Sequence, residues 1–381
     1  MKVLLLLAAL LFNLLLFGQA ALLGRTTGPL PYLEFGPGDD RLGGAKMTYL
    51  DTGILLQVVD SLAGDFKVQL SSGHTAYLPK ANVRMDTSAR KPFYLTGSWR
   101  VYGDDRYDYV NVGLTEKLPY RSMQLLSPSK LVVDVFGAVS NTNWITQLKT
   151  VKEITNVWQE QIEDDVFRIH IELKHRQHWG HYIFYRNNTL VIRVKRQPAS
   201  RIRELKIAVD AGHGGANTGA SGGATGVLEK DYTLKIAGEL EKLLVRKGAK
   251  VYMTRNHDTD ISMIDRTLLL REQDPDLLVS VHLNSSGNKA ANGTSTYYRY
   301  IGFRSLSQAI LDELLELPLN NFGNIGAFNF ALSGPTEYPN CLVEVAFLSN
   351  AEDEQKIIDE GFRKNVAKRI YKGIRRWMKD L

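Results

Sequence analysis

Residues 206–219 read KIAVDAGHGGANTG. Lys206 to Asp210 is a short apolar run of strand type, and the glycines that follow bracket His213. Glycine permits left-handed turns and close backbone approach, so an imidazole placed there can point into a cleft at a strand's carboxyl end. A loop histidine without a role remains the alternative at this point. A nucleotide-binding loop does not fit, because neither GK[ST] nor GxGxxG occurs. Outward from this stretch the chain alternates strand and helix. A helical pattern runs over Tyr232–Arg246, a strand over Lys250–Thr254, a helix over Met263–Glu272 and a strand over Leu277–His282. A strand over Thr294–Tyr300, a helix over Ser305–Leu315, a strand over Leu342–Phe347 and a helical tail over Glu352–Lys379 follow. This rhythm predicts an α/β domain over residues 205–381, a mixed sheet flanked by helices, with ligands beyond the strands' carboxyl ends.

Three further residues share that geography. Glu229, in GVLEKD, sits where a helix begins; a carboxylate there also has the bland reading of favourable charge at a helix N-terminus. His282 closes the strand DLLVSVH and is followed by Asn284. Glu344 interrupts an apolar strand, NCLVEVAFLSN, in which neither alternate set offers it a polar face. A carboxylate in such surroundings must be paired, held near a cation or shifted in pKa. Two imidazoles and one carboxylate are a ligand set for catalytic zinc with a fourth position left for water, and a second carboxylate can move protons.

The motifs VDAGHGG, GVLEKD, Thr254-Arg255, LVSVHLNSS, GTSTYY and CLVEVAFLSNAEDE occur in the order found in zinc N-acetylmuramoyl-L-alanine amidases of the Amidase_3 type, which the chain resembles over Lys206–Leu381. The resemblance implies one Zn²⁺ held by His213, Glu229 and His282, with Glu344 as the catalytic glutamate. It also implies hydrolysis of the amide between the lactyl group of N-acetylmuramic acid and L-alanine in peptidoglycan, by zinc-activated water with Glu344 as general base and acid. Arg255 and Asn284 are candidate substrate contacts. Two other functions compete: a non-catalytic muropeptide-binding protein, and a zinc peptidase acting within the peptide stem. The first would be favoured by loss of a ligand, and all four matching residues are present; the second lacks an HExxH helix. Division-type members carry a long insertion after the GTSTYY strand that forms a helix blocking the active site. Here four residues separate Tyr300 from Ser305, so basal activity without an activator is expected.

The N-terminal half is β-rich. Strand-like runs at Leu55–Val59, Phe66–Leu70 and Thr75–Leu78 are separated by the turn pairs Gly64-Asp65 and Ser72-Gly73. The stretch GDFKVQLSSGHTAYLPKANV resembles bacterial SH3-like domains, and a small β-barrel is expected over 45–87. Apolar runs at Leu131–Phe136, Val166–Leu173, His181–Tyr185 and Leu190–Val194 predict a β-sandwich over 92–196. PSKLVVDVFGAV, FRIHIELKH and NNTLVIRVK resemble the AMIN family, modules that localise exported cell-wall enzymes. Residues 21–44, rich in Gly, Pro, Thr and Asp, read as a linker.

Residues 1–20 have a basic start at Lys2, an apolar run and small residues at Gly18 and Ala20, the pattern of a signal peptide cleaved near Ala20 or Ala21. An uncleaved anchor is the alternative. An exported protein is therefore expected, in the periplasm or otherwise secreted or cell-wall associated. The chain has 381 residues, a net charge of +6 and one cysteine, which excludes an intramolecular disulfide and a multi-cysteine zinc site. Ordinary globular composition leaves room for two or three cores. The expected partners are peptidoglycan and an envelope protein met through the N-terminal modules, with no nucleic acid. His175, His178 and His181 lack an interspersed carboxylate, so a second metal site is not expected. The basic tail from Lys364 to Lys379 reads as a solvated helix face.

Overall fold

The computed structural model describes residues 22–38, 43–87, 91, 93–198 and 200–380. The signal-peptide expectation over 1–20 lies outside the described residues. No helix among those described is long and apolar enough to cross a membrane.

The first block is a seven-stranded antiparallel sheet. Its strands run in the order Lys46–Tyr49, Tyr32–Glu34, His74–Pro79, Asp65–Ser71, Leu55–Ser61, Leu22–Thr26 and Val83–Asp86. The linker expectation over 21–44 is thereby corrected. Leu22–Thr26 is an interior strand between 55–61 and 83–86, and Leu23, Leu30 and Leu33 are buried. A three-residue strand such as Tyr32–Glu34 is too short to show a period of two, and the surrounding glycines serve turns, as Gly28 does at φ 88°.

The second block is two packed sheets. One orders Tyr120–Leu126, Ser129–Phe136, Val166–Leu173 and Ile154–Glu163; the other contains Tyr94–Gly103, Tyr107–Leu114, Thr189–Lys195 and His181–Arg186. Their inner faces interdigitate through Val101, Val110 and Ile192 against Val133, Ile169 and Ile171, with Trp99 meeting Phe167 edge-on at 6.0 Å. The same buried cluster continues into the first block through Leu33, Leu56 and Leu78. The two β blocks therefore share a core.

The third block is a six-stranded mixed sheet in the order Lys250–Met253, Lys206–Ala211, Leu277–Asn284, Asn340–Phe347, Thr294–Tyr297 and Asn321–Ile325. The first four strands are mutually parallel, and Thr294–Tyr297 runs antiparallel to Asn340–Phe347. Helices Glu229–Arg246, Arg304–Leu314 and Glu360–Lys379 cover one face, where Val209, Val279, Val281, Val343 and Val345 are buried. Helix Met263–Gln273 and the 3₁₀ turn Ala331–Ser333 cover part of the other, over Ala208 and Leu278. Because side chains alternate along a strand, Asp210, Ser280, His282 and Glu344 share the parity of Ala208, Leu278 and Leu342 and face this second side. The expected single tail helix is two, Ala351–Ile358 and Glu360–Lys379: the Asp359 carboxylate accepts from Phe362 N (2.6 Å) and caps the second. The β-sandwich docks on this domain through Trp179 against Trp377 (4.9 Å) and His181 N donating to Thr336 O (2.7 Å).

Candidate active site

The strand Lys206–Ala211 ends in a loop whose backbone needs its glycines. A Cβ on Gly212 would lie 2.4 Å from His282 Cε1, so only glycine lets the loop cross that ring. His213 itself sits at φ 63°, and Gly214 and Gly215 also have positive φ. This turn swings the imidazole over the strand ends. Its Nδ1 lies 2.9 Å from Asn217 Oδ1, so Nδ1 carries the proton and Nε2 faces inward, 3.0 Å from Glu229 Oε1.

Glu229 opens the helix Glu229–Arg246, but its carboxylate is 3% exposed and serves more than the helix end. Oε2 accepts from Ala220 N (2.7 Å), and Oε1 accepts from Leu283 N (2.9 Å) beside His282 Nδ1 (3.1 Å). Burial pushes this carboxyl up, but the hydrogen bonds and charge of His213 and His282 outweigh it and hold the group well below the usual carboxylate range. For His282 burial opposes the charged form, and the Glu229 carboxylate more than compensates.

Ligand atoms of His213, Glu229 and His282 all lie within 4.8 Å of one another, the one such group among the described residues. Their nitrogen–oxygen separations of 3.0 and 3.1 Å fit a tetrahedral cation, for which bonds of about 2.1 Å put neighbouring donors about 3.4 Å apart. The converging donor atoms are His213 Nε2, His282 Nδ1 and Glu229 Oε1, two imidazole nitrogens and one carboxylate oxygen. The donor set therefore fits a zinc ion.

Glu344 pairs in register with His282 on the adjacent parallel strand, and both line a cleft of about 800 Å³ with His213, Glu229, Leu342, Asn284, Phe328 and Phe330. Phe330 meets the His282 ring edge-on at 5.5 Å. Asn284 is thus in the cleft. Arg255 is not among its lining residues: 3% exposed, it lies beneath the loop and donates to the carbonyls of Ala211 (2.9 Å), Gly212 (2.9 Å) and Lys230 (2.7 Å). A guanidinium spent on backbone carbonyls is a scaffold for the His213 loop.

Sequence reasoning missed a buried network under the site. Asp210 accepts from Arg266 Nη1, Thr254 Oγ1 and Ser280 Oγ, each at 2.6 Å, and Arg266 Nη2 donates to His213 O at 2.5 Å. Asp210 lies in the VDAGHGG motif, and its parity with His282 was the available signal. Asn217, Phe328 and Phe330 were also missed. Of the three neighbouring histidines, His175 pairs with Glu153, His178 with Leu125 O and His181 with Ser122.

Strand-end imidazoles, a buried carboxylate and a second carboxylate in one cleft of an α/β sheet describe a candidate metal-dependent hydrolase. Residues 207–376 match the family described as N-acetylmuramoyl-L-alanine amidase, Amidase_3, and this part of the chain belongs to it. The probable cell wall amidase LytH of Staphylococcus epidermidis is 34% identical over 172 residues, 45% of this chain and 57% of that protein. The N-acetylmuramoyl-L-alanine amidase AmiC of Escherichia coli is 31% identical over 229 residues, 48% of this chain and 55% of that protein. The chain thus spans little more than half the length of these curated relatives. The catalytic domain of CwlV, an N-acetylmuramoyl-L-alanine amidase from Bacillus (Paenibacillus) polymyxa var. colistinus, is 32% identical, with a TM-score of 0.44, over 46% of this chain and 98% of that one.

Proposed function

We propose that the protein hydrolyses the amide between the lactyl group of N-acetylmuramic acid and the L-alanine of the peptide stem in peptidoglycan. The observation that carries this reading is the convergence of His213, Glu229 and His282, with Glu344 in the same cleft, inside the Amidase_3 segment. A zinc ion held by the three ligands supplies Lewis acidity, which polarises a carbonyl and makes water a better nucleophile near neutral pH. Glu344 takes the proton of the attacking water and delivers it to the departing alanine nitrogen, leaving a lactyl carboxylate and a free amine. Asn217 holds the His213 tautomer. Leu342, Phe328 and Phe330 keep the cleft wall apolar, and Asn284, which also lines the cleft, is the proposed donor to the substrate's amides.

We further propose that the chain is exported and acts in the periplasm or at the cell wall. The 45–87 region is read as SH3-like and 92–196 as AMIN-like, modules that place the enzyme on its substrate and meet an envelope protein. Activity without an activator is expected, since only the 3₁₀ turn Ile301–Phe303 precedes the helix Arg304–Leu314.

The test is mass spectrometry of what the full exported chain releases from purified peptidoglycan. Free stem peptides beginning with L-alanine support the amidase. Products cut within the stem would reassign the site to a peptidase, and intact polymer retained by the protein would reassign it to binding.

A further inference from the structure

The cleft wall opposite the His213 loop is built by a segment whose outer side belongs to the N-terminal block. Residues 326–334 follow the edge strand Asn321–Ile325 and turn through Ala327, a non-glycine residue at φ 55°. Phe328 and Phe330 then face the cleft, Phe328 against Tyr297 at 4.5 Å and Phe330 against His282 at 5.5 Å. Between them Asn329 points the other way, as alternation along an extended segment requires.

Its amide is gripped from outside. Asn329 Nδ2 donates to Gly44 O (2.8 Å), and Oδ1 accepts from Lys46 N (3.2 Å) and Arg299 Nη1 (3.1 Å). The other arm of Arg299 donates to Lys46 O. Two residues further on, Tyr49 Oη donates to Ala331 O (3.3 Å), and Gly334 makes room for that ring: a Cβ there would lie 2.6 Å from Tyr49 Cε2. Within the catalytic domain itself Phe328 has one backbone bond, N to Tyr298 O at 3.2 Å.

We propose that the hairpin strand Lys46–Tyr49 is a clamp that sets the position of the Phe328/Phe330 wall, making Asn329 and Tyr49 positioning residues for substrate binding. The proposal rests on the amidase reading only in taking this cleft as the substrate site. His213 stands on the loop after Lys206–Ala211, Glu229 on a helix and His282 and Glu344 on strands, and the Asn329 and Tyr49 hydrogen bonds given above reach none of them. Loosening the wall therefore changes how substrate is held and leaves the reacting groups in place. A module expected to steer the enzyme along the wall thus also completes its binding cleft.

The test uses the full chain with Asn329→Ala and, separately, Tyr49→Phe, which removes one hydroxyl and keeps the ring. Hydrogen exchange is followed in 326–334 and in 277–284, and KM and kcat are measured on soluble muropeptides. We expect Asn329→Ala, which removes all three hydrogen bonds to Gly44, Lys46 and Arg299, to speed exchange in 326–334 alone and to raise KM about tenfold or more, with kcat and bound metal unchanged. Tyr49→Phe should move both readouts the same way by less. Unchanged exchange in 326–334, or faster exchange with KM unaltered, overturns the proposal. Should the wild type release no L-alanine-ended peptide, the amidase reading fails, and the exchange data together with the Kd for a bound muropeptide decide the clamp.

Discussion

Arg266→Met tests whether the buried network beneath the candidate metal site carries the His213 loop. Arg266 is 1% exposed and donates to Asp210 Oδ1 (2.6 Å), Ala211 O (2.8 Å), His213 O (2.5 Å), Ile261 O (3.1 Å) and, more distantly, Thr254 Oγ1 (3.5 Å). Methionine fills similar volume but strands the Asp210 carboxylate, and removing one partner of a buried ion pair costs about 3–5 kcal/mol. Asp210→Asn keeps an amide within reach of Thr254 and Ser280 and leaves Arg266 its three carbonyls, so it should cost less, about 1–3 kcal/mol. The double variant no longer contains a stranded charge. Its loss should fall short of the sum of the singles by about 1–3 kcal/mol.

The pH dependence separates the two single variants. In the wild type burial opposes the Asp210 charge, and Arg266, His282, Ser280 and Thr254 together overcome it, holding the carboxyl below its usual value. That contribution is complete above the unfolded aspartate pKa of about 3.9 and is lost as pH falls through the lower folded value. In Arg266→Met burial is opposed only by His282 and the two hydroxyls, the largest opposing cause being gone; the folded pKa rises, and the variant loses stability as pH rises past about 4. Urea unfolding followed through Trp179 and Trp377, both in the catalytic core, should show a deficit that widens from about pH 4.5 to pH 7.5. A deficit below about 1 kcal/mol, one that is flat with pH, or strictly additive singles would refute the reasoning.

Burial, with a smaller push from His178, lowers the His181 pKa to about 3. Its neutral form is thus favoured by folding, and stability falls as pH drops below the unfolded value of about 6.5, by about 2 kcal/mol at pH 5. His181→Asn should lack that decrement, and equal pH slopes in the two proteins would count against it. Gly212→Ala would put a Cβ 2.4 Å from His282 Cε1, and displacing that ring should weaken metal binding about tenfold or more in chelator competition. Unaltered metal retention would show that the loop yields instead.

The candidate residues stood out because each breaks an apolar run with an abrupt change of chemistry: His213 among glycines, His282 before Asn284, Glu344 within valines. Strand parity explains Glu344 without a polar face, since it shares its side with Leu342 and with His282 on the neighbouring strand. What stayed hidden depends on tertiary approach. Leu22–Thr26 and Tyr32–Glu34 are strands because distant partners supply their hydrogen bonds, and no local period marks them. Asn321–Ile325, a polar NFGNI stretch, is an edge strand for the same reason. Arg255 reads in the sequence as a motif cation and a candidate substrate contact, and Arg266 stands in no motif. Only the fold shows both guanidiniums turned under the loop rather than into the cleft.

The division of labour between ligands and proton carrier is the central claim, and one paired measurement reaches it most directly. Metal content and peptidoglycan turnover should be determined on Glu344→Gln and His213→Ala beside the wild type. The assignment requires Glu344→Gln to retain about one zinc per chain while losing nearly all turnover, and His213→Ala to lose the metal. Full turnover in Glu344→Gln, or undiminished zinc in His213→Ala, would contradict it.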